Sequence, residues 1–341
     1  MARVLVALAV GQVTPLAAQT AVRIQRGVIT GRVFDRLTGN PIPFALVTFG
    51  PKRWFASESG RFAIANVSPG PAVVVVSQIA YAPTELRIEI KPELATETPA
   101  ELAIGLTHRA LVLPELSVTA QAGCAEGARA TNLGRDAEPI VAAALDNAER
   151  LLVLMRSYPF QSSFLYQAEE FDWQDQRVGY QAGTIVAATR DQRGYSPGKT
   201  VNRDGTVNYF STADLARPAF ADRHCFWAAG ADTLNGVEML VVEFAPSSDL
   251  TTPDWAGRLT IDPESGQLHR SLAHMVNLDS LQHKMIAAQC LVAYGLVVAT
   301  IVHETDANCV AVRSNRDRRT TVSKWEFIKL EFDKRRPGEP P

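Results

Sequence analysis

The sequence has almost no excess of charge of either sign. Its 341 residues contain 34 Lys and Arg and 36 Asp and Glu, which gives a formal net charge of -2. Nucleic-acid binding needs a basic surface, because contacts with phosphate supply much of the affinity. We therefore expect no nucleic acid among the partners. The length predicts two domains or one large one, and a hydrophobic content of 46 % supplies enough apolar material for a core.

The sequence also lacks an apolar run near the ~20 residues that cross a bilayer as a helix. Its N-terminus instead has Arg3, a short apolar run from Val4 to Gly11, and the small residues Ala17 and Ala18. This order is typical of a signal peptide. We predict that residues 1–21 are a signal peptide and that the mature chain, without a transmembrane segment, is periplasmic or secreted. A buried N-terminal strand is the alternative, and association with the outer membrane is left open.

Cysteine is scarce, and none of it falls in a metal or redox motif. The four cysteines are Cys124, Cys225, Cys290 and Cys309, and the sequence has no C-x-x-C. Neither a zinc knuckle nor a thioredoxin-like motif is therefore supported. An even number of cysteines in an exported protein permits two disulfides.

Linear catalytic motifs are absent as well. The sequence has no G-x-S-x-G and no H-E-x-x-H. Residues Gly194 to Thr200, GYSPGKT, imitate a phosphate-binding loop but are one residue short of its spacing, and Ser196-Pro197 favours a turn. His303 and Glu304 could serve as metal ligands, but a complete ligand set is not evident.

Two charged segments are interpreted as solvated surface. The first is the acidic run that contains Glu169, Glu170, Asp172 and Asp175, and the second is the closing segment 329–341, KLEFDKRRPGEPP, which is expected to be a solvated terminus. We therefore predict no catalytic, cofactor-binding or metal-binding residues.

Residues 27–106 alternate short β-rich runs with turn signals at intervals of 8 to 15 residues. This spacing predicts an antiparallel β-sandwich. The run Val73 to Val76 is about one strand long, and its four valines predict a strand that is covered on both faces or has a flank under a neighbour.

This segment resembles the carboxypeptidase regulatory-like domain, a transthyretin-like β-sandwich, over residues 24–106. The matching elements occur in order: Gly31-Arg32-Val33, Thr38-Gly39, Gly60-Arg61-Phe62, Pro69-Gly70 and Ile79-Ala80-Tyr81. In zinc carboxypeptidases this domain accompanies a separate catalytic domain with an H-x-x-E zinc motif. None of the six histidines here has Glu three residues later, so the resemblance implies the fold and no peptidase activity.

A linker at 107–133 and an α+β domain at 134–335 are predicted to follow. Residues 136–157 predict a helix with an apolar stripe made of Val141, Ala144, Leu145, Ala148, Leu151, Leu152 and Met155. The β-rich segments after it predict a curved antiparallel sheet packed on this helix. The hairpin from Gly257 to Leu268 is loosely similar to hairpins of lipoprotein-carrier half-barrels.

The chain also resembles exported bacterial proteins that carry the same sandwich, through Cys124, His224-Cys225-Phe226, Val242 to Pro246 and Gly257 to Asp262. That resemblance implies a disulfide between Cys124 and Cys225. Cys290 and Cys309 are a weaker second candidate pair, and they either pair with each other or remain buried thiols. Four free, buried cysteines are the alternative.

The sequence therefore predicts a non-enzymatic envelope protein, without a cofactor, that binds a protein, glycan or lipid. One alternative is a hydrolase whose site leaves no linear motif. The other is a carrier with an apolar cavity between the helix around Leu151 and the sheet.

Overall fold

A computed structural model describes residues 27–90, 101–109, 111, 139–189, 194–202, 207–278, 286–298, 300–314 and 318–338. These residues form a β-sandwich followed by a large sheet with one long helix. The N-terminal β-sandwich and the mainly β class predicted from the sequence are both confirmed. In the described residues, no helix is long and apolar enough to cross a membrane.

The sandwich contains eight strands in two four-stranded sheets. One sheet has the order β4-β1-β8-β6 and the other β3-β2-β5-β7. All pairs are antiparallel except β1 and β8, which run parallel. The strands are β1 (Gly27–Asp35), β2 (Leu46–Phe49), β3 (Lys52–Phe55), β4 (Arg61–Val67), β5 (Gly70–Ser77), β6 (Tyr81–Ala82), β7 (Thr84–Ile90) and β8 (Glu101–His108).

The valine run lies in β5 and is covered on one face, not on both. Val74 and Val76 are buried in the core between the two sheets, whereas Val73 is exposed and Val75 is half-buried. Successive side chains of a strand point to opposite faces, and the outer face of this sheet borders solvent. The expectation of a strand covered on both faces is therefore wrong here, because continuous valine does not report which face is covered.

The second unit is a nine-stranded antiparallel sheet with the order β10-β9-β17-β16-β15-β14-β13-β12-β11. Its elements are α1 (Pro139–Ser157), β9 (Phe160–Phe171), β10 (Arg177–Ala188), a 3₁₀ turn (Thr212–Ala216), α2 (Pro218–Ala221), β11 (His224–Leu234), β12 (Val237–Pro246), β13 (Asp254–Ile261), β14 (Leu268–Val276), β15 (Ile286–Val298), β16 (Ile301–Ser314) and β17 (Arg318–Phe332). The last strand, β17, lies between β9 and β16 and joins the first hairpin to the meander β11–β16.

Helix α1 has the apolar stripe that the sequence predicts. All seven stripe residues are buried except Leu145, which is half-buried, and Pro139 occupies the first helical position, where its missing N–H costs nothing. The first half of the helix, around Ala144, packs against the sheet core formed by residues such as Trp255 and Leu259. Each large apolar side chain buried in this way contributes about 1.5–3 kcal/mol.

The second half of α1 packs between the two units. Leu151, Leu154 and Tyr158 form one buried cluster with Leu46 and Phe55 of the sandwich. The space around Leu151, which the carrier hypothesis would leave open, is therefore filled. The cluster also holds the sandwich against the sheet.

Candidate functional site

A buried arginine lies at the junction of the two units. Arg150, on α1, is fully buried, and its Nη2 donates to the carbonyl oxygen of Phe44 at 2.5 Å and to Thr300 Oγ1 at 2.9 Å. Gln78 Nε2 donates to the same Thr300 oxygen at 3.1 Å. Burial lowers the pKa of Arg150 to about 10, and the charge of Asp146, one turn earlier, opposes that shift.

A cleft of about 920 Å³ opens between the sandwich and the sheet, close to this junction. Phe44 contributes from the sandwich, and Leu296 contributes from β15. The end of β17 supplies three further apolar side chains, which are Phe327, Leu330 and Phe332. Leu296 is 51 % exposed although it is large and apolar. The volume lies within the roughly 300–1,000 Å³ that is usual for small-molecule sites.

Charged side chains complete the lining of this interdomain cleft. Glu58 of the sandwich, Glu331 of β17 and Arg336 of the C-terminal segment line it together with the apolar groups, and all three are exposed. Glu331 forms an ion pair with Lys329 at 3.0 Å. The cleft therefore combines an apolar wall with charged groups of both signs at solvent.

The closing segment of the chain is part of this site. Pro337 is buried and lines the cleft, and a Cβ on Gly338 would lie only 2.9 Å from the Cα of Ser57 in the sandwich. The expectation that the closing segment is a solvated terminus is therefore wrong for Pro337 and Gly338, whereas the charged side chains of Lys334 and Arg336 are exposed. Pro337 and Gly338 allow the segment to pass close to the sandwich backbone. The charge pattern of the segment does not indicate this contact.

A serine and a histidine meet beside the cleft. Ser162 Oγ on β9 lies 2.9 Å from His303 Nε2 on β16, and His303 Nδ1 lies 2.8 Å from the carbonyl oxygen of Glu304. Because a carbonyl only accepts, Nδ1 donates and Nε2 accepts the serine proton. Burial lowers the pKa of His303, and Glu304 opposes this shift. The neutral ring is therefore favoured.

This Ser–His pair has the contact of an activated nucleophile, but it lies under apolar rings. The side chains of Phe160, Phe164 and Phe327 surround the imidazole at centroid distances of 5.5 to 6.2 Å. Both Ser162 and His303 are buried, and neither lines the interdomain cleft. The pair links β9 to β16 across β17.

A second cavity, of about 570 Å³, lies among the loops before the 3₁₀ turn. The phosphate-loop imitation from Gly194 to Thr200 forms part of its wall as an irregular loop, as expected. Tyr195 donates a hydrogen bond to the buried Asp254, whose other oxygen lies 3.6 Å from His224 Nε2. Burial is the main reason that the pKa of Tyr195 is raised. These contacts anchor the loop to the sheet.

The cysteines behave partly as the sequence predicts. Cys290 and Cys309 lie opposite each other on β15 and β16 and form a disulfide. Cys225 is buried and disulfide-bonded. Cys124 lies outside the described residues, and the Cys124–Cys225 pair therefore stays a prediction.

The other polar residues weighed in the sequence are dispersed or engaged. In the described residues, no three His, Cys, Asp or Glu side chains come together as a metal site. Glu169 pairs with Arg177 and Glu170 with Arg319, while Asp172 accepts two main-chain N–H groups in the β9–β10 turn. The acidic run is therefore a solvated, ion-paired hairpin.

The chain has structural similarities of low sequence identity. A DUF1329 family protein from Desulfovibrio piger is 12% identical, with a TM-score of 0.30, and the match covers 57% of this chain and 93% of that one. A putative outer membrane lipoprotein-sorting protein domain from Vibrio parahaemolyticus is 12% identical, with a TM-score of 0.29 and coverages of 51% and 86%. The Pseudomonas aeruginosa MucA/MucB complex gives 10% identity, a TM-score of 0.20 and coverages of 56% and 99%. At these TM-scores the similarities support no argument about function.

In sequence, no functionally curated protein matches this chain significantly. The model of the carboxypeptidase regulatory-like domain matches residues 28–103. That range runs from the start of β1 into the first half of β8 and so spans most of the two-sheet sandwich. The N-terminal unit, and not the whole chain, is therefore a carboxypeptidase regulatory-like domain.

Proposed function

We propose that this protein is a non-enzymatic binding module of the bacterial envelope that holds an amphipathic, lipid-like ligand in the interdomain cleft. The observation that carries the proposal is the composition of the cleft. Phe44, Leu296 and Phe332 offer an apolar wall, and Glu58 and Arg336 lie at its exposed parts. An acyl chain would pack on the wall while its polar head stays among the charged groups.

The location of the cleft also supports a binding role. It lies between a β-sandwich and a sheet that share the buried cluster around Leu151, so its walls come from two units packed against each other. A site with prearranged walls binds with a smaller entropic cost than one that must be assembled. The export signal predicted at residues 1–21 supports an envelope location.

The non-enzymatic character rests on the placement of the titratable groups. Ser162 and His303 are enclosed by aromatic rings, and His224 and Asp254 are buried away from the cleft. A hydrolase would need such groups to reach a bound substrate. A binding role is therefore favoured over a hydrolase whose site leaves no linear motif.

The proposal is tested with 1-N-phenylnaphthylamine, a probe whose fluorescence rises in an apolar site, and with competition by a long-chain fatty acid. We expect saturable binding that the fatty acid displaces. Leu296→Gln should weaken binding about five- to tenfold, as expected for losing about 1 kcal/mol of apolar contact. The matched control is Ile328→Gln, since Ile328 is 50 % exposed and does not line the cleft.

Three results would contradict the proposal: absence of saturable binding, equal weakening by both variants, or steady turnover of p-nitrophenyl acyl esters. The third result would favour the hydrolase alternative. If the Ser–His pair catalyses this ester hydrolysis, the turnover should disappear in Ser162→Ala.

A further inference from the structure

Within the described part of the chain, strand β10 ends the nine-stranded sheet and leaves one long edge open. It pairs with β9 through eleven residue pairs, and no other described strand pairs with it. An edge strand presents unpaired N–H and C=O groups that another strand can use. At the opposite end of the sheet, β11 has a bulge between Ala228 and Gly230, and bulges of this kind discourage edge pairing.

Most of the edge of β10 lacks the features that usually protect such strands. Its own bulge lies at its start, between Arg177 and Gly179, and its register with β9 is regular from Gly179 to Ala188. From Val178 to Ala188 the sequence contains no charged residue and no proline. Arg177, which precedes this stretch, pairs with Glu169 of β9. Tyr180 and Val186 are large, and they are 60 % and 59 % exposed. A strand of this length without lysine or proline favours pairing with another strand.

We propose that β10 pairs antiparallel with β10 of a second copy of this chain, around a two-fold axis at Gly183. In this register Tyr180 lies opposite Val186 of the second copy, and Gln181 lies opposite Ile185. Aromatic and β-branched residues on opposite strands form favourable pairs. The two nine-stranded sheets become one continuous sheet.

The composition of the strand favours its own copy as the partner. Because the stretch from Val178 to Ala188 is uncharged, antiparallel pairing around Gly183 places no like charges opposite each other. Tyr180, Thr184 and Val186 lie on one face and are all exposed. The pairing therefore covers this strip with the same strip of the second copy, as an isologous interface requires. Gly183 at the axis leaves open space, since a Cβ there would meet nothing within 4 Å.

A single edge buries less surface than a permanent dimer needs, so the association should be concentration-dependent. Sedimentation velocity of the full chain, at protein concentrations from about 1 to 100 μM, should show a monomer–dimer equilibrium in this range. A chain that stays monomeric over this whole concentration range overturns the proposal. A monomeric chain that binds an extended peptide at this edge overturns it as well.

Two double variants test the register. Tyr180→Lys with Val186→Lys places lysines opposite each other and should raise the dissociation constant at least about tenfold. Tyr180→Lys with Val186→Glu places opposite charges together and should keep it within about threefold of the wild-type value. Ile328→Lys, on another strand, is the control and should have no effect.

Unchanged association of the Lys/Lys variant overturns the assignment to this edge, and equal loss in both double variants overturns the Gly183-centred register. All the substituted side chains are exposed, so thermal unfolding should remain as in the wild type. If a double variant does not fold, Gly183→Lys provides the same test, because it places two lysines at the axis.

Discussion

The guanidinium of Arg150 donates to the main-chain carbonyl of Phe44, and this hydrogen bond joins the long helix to the sandwich. The same guanidinium packs over the ring of Phe55, with 5.1 Å from its carbon to the ring centroid. A buried charge is costly to hold without partners. Carbonyl, hydroxyl and aromatic groups of both units converge on this guanidinium through Nη2 and the ring face, whereas Nε and Nη1 have no hydrogen-bond partner among the described residues.

Replacing Arg150 should weaken the junction strongly. Arg150→Leu leaves the Phe44 carbonyl and Asp146 without this partner, and we expect a loss of about 3–5 kcal/mol in the free energy of unfolding. Urea denaturation followed by circular dichroism measures it. Arg156→Leu is the matched control, because Arg156 lies on the same helix and is exposed. It should change the stability by less than about 0.5 kcal/mol, and similar losses in both variants would contradict the role of Arg150.

His303 should make the stability depend on pH. Burial lowers the pKa of His303 below its ordinary value of 6.5. Between the folded and the unfolded pKa, the imidazole is therefore protonated in the unfolded state and neutral in the folded state. The contribution of His303 to the free energy of unfolding is fully present above about pH 6.5. It is lost as the pH falls through the folded pKa. His303→Gln should reduce the loss of unfolding free energy measured between about pH 7.5 and 5. His274→Gln, at an exposed position, should keep the wild-type dependence, and an unchanged slope in His303→Gln would refute the prediction.

The Cys290–Cys309 disulfide should stabilise the sheet. It closes a loop with a sequence separation of 19 residues, and loop-closure entropy for that length corresponds to about 3 kcal/mol. The double variant Cys290→Ala with Cys309→Ala should lose about that amount in urea denaturation. The two strands are already paired by a long antiparallel ladder, so the fold itself should persist. Equal stability of the variant and the oxidised wild type would show that the bond adds nothing.

The Cys124–Cys225 pair is tested by peptide mapping without reduction. We expect a linked peptide that contains Cys124 and Cys225, which would close a loop of about 100 residues and add about 4.7 kcal/mol in the chain-entropy model. The Cys290–Cys309 peptide serves as the internal positive control, since those strands lie opposite each other. Cys124 recovered as a free thiol would disprove this pairing.

The sequence correctly predicted the elements that depend on local signals, which are side-chain periodicity and turn residues a few positions apart. The turn-bounded runs predicted the sandwich, and the stripe from Val141 to Met155 predicted the buried face of α1. Both follow from the regular geometry of strands and helices. The valine run misled about β5, since it reports strand propensity and not which face is covered.

Only the tertiary structure decided which distant segments meet. Ser162 and His303 are 141 residues apart, and Arg150 and Phe44 are 106 apart, yet each pair shares a hydrogen bond. The insertion of β17 between β9 and β16 brings Leu330 and Phe332 to the cleft, beside the sandwich residue Phe44. Strand order and domain packing depend on non-local pairing, which side-chain periodicity does not encode. The sequence by itself therefore determined the elements and the buried face of α1, and the fold decided the covered face of β5, the cleft and, among the described strands, the open edge of β10.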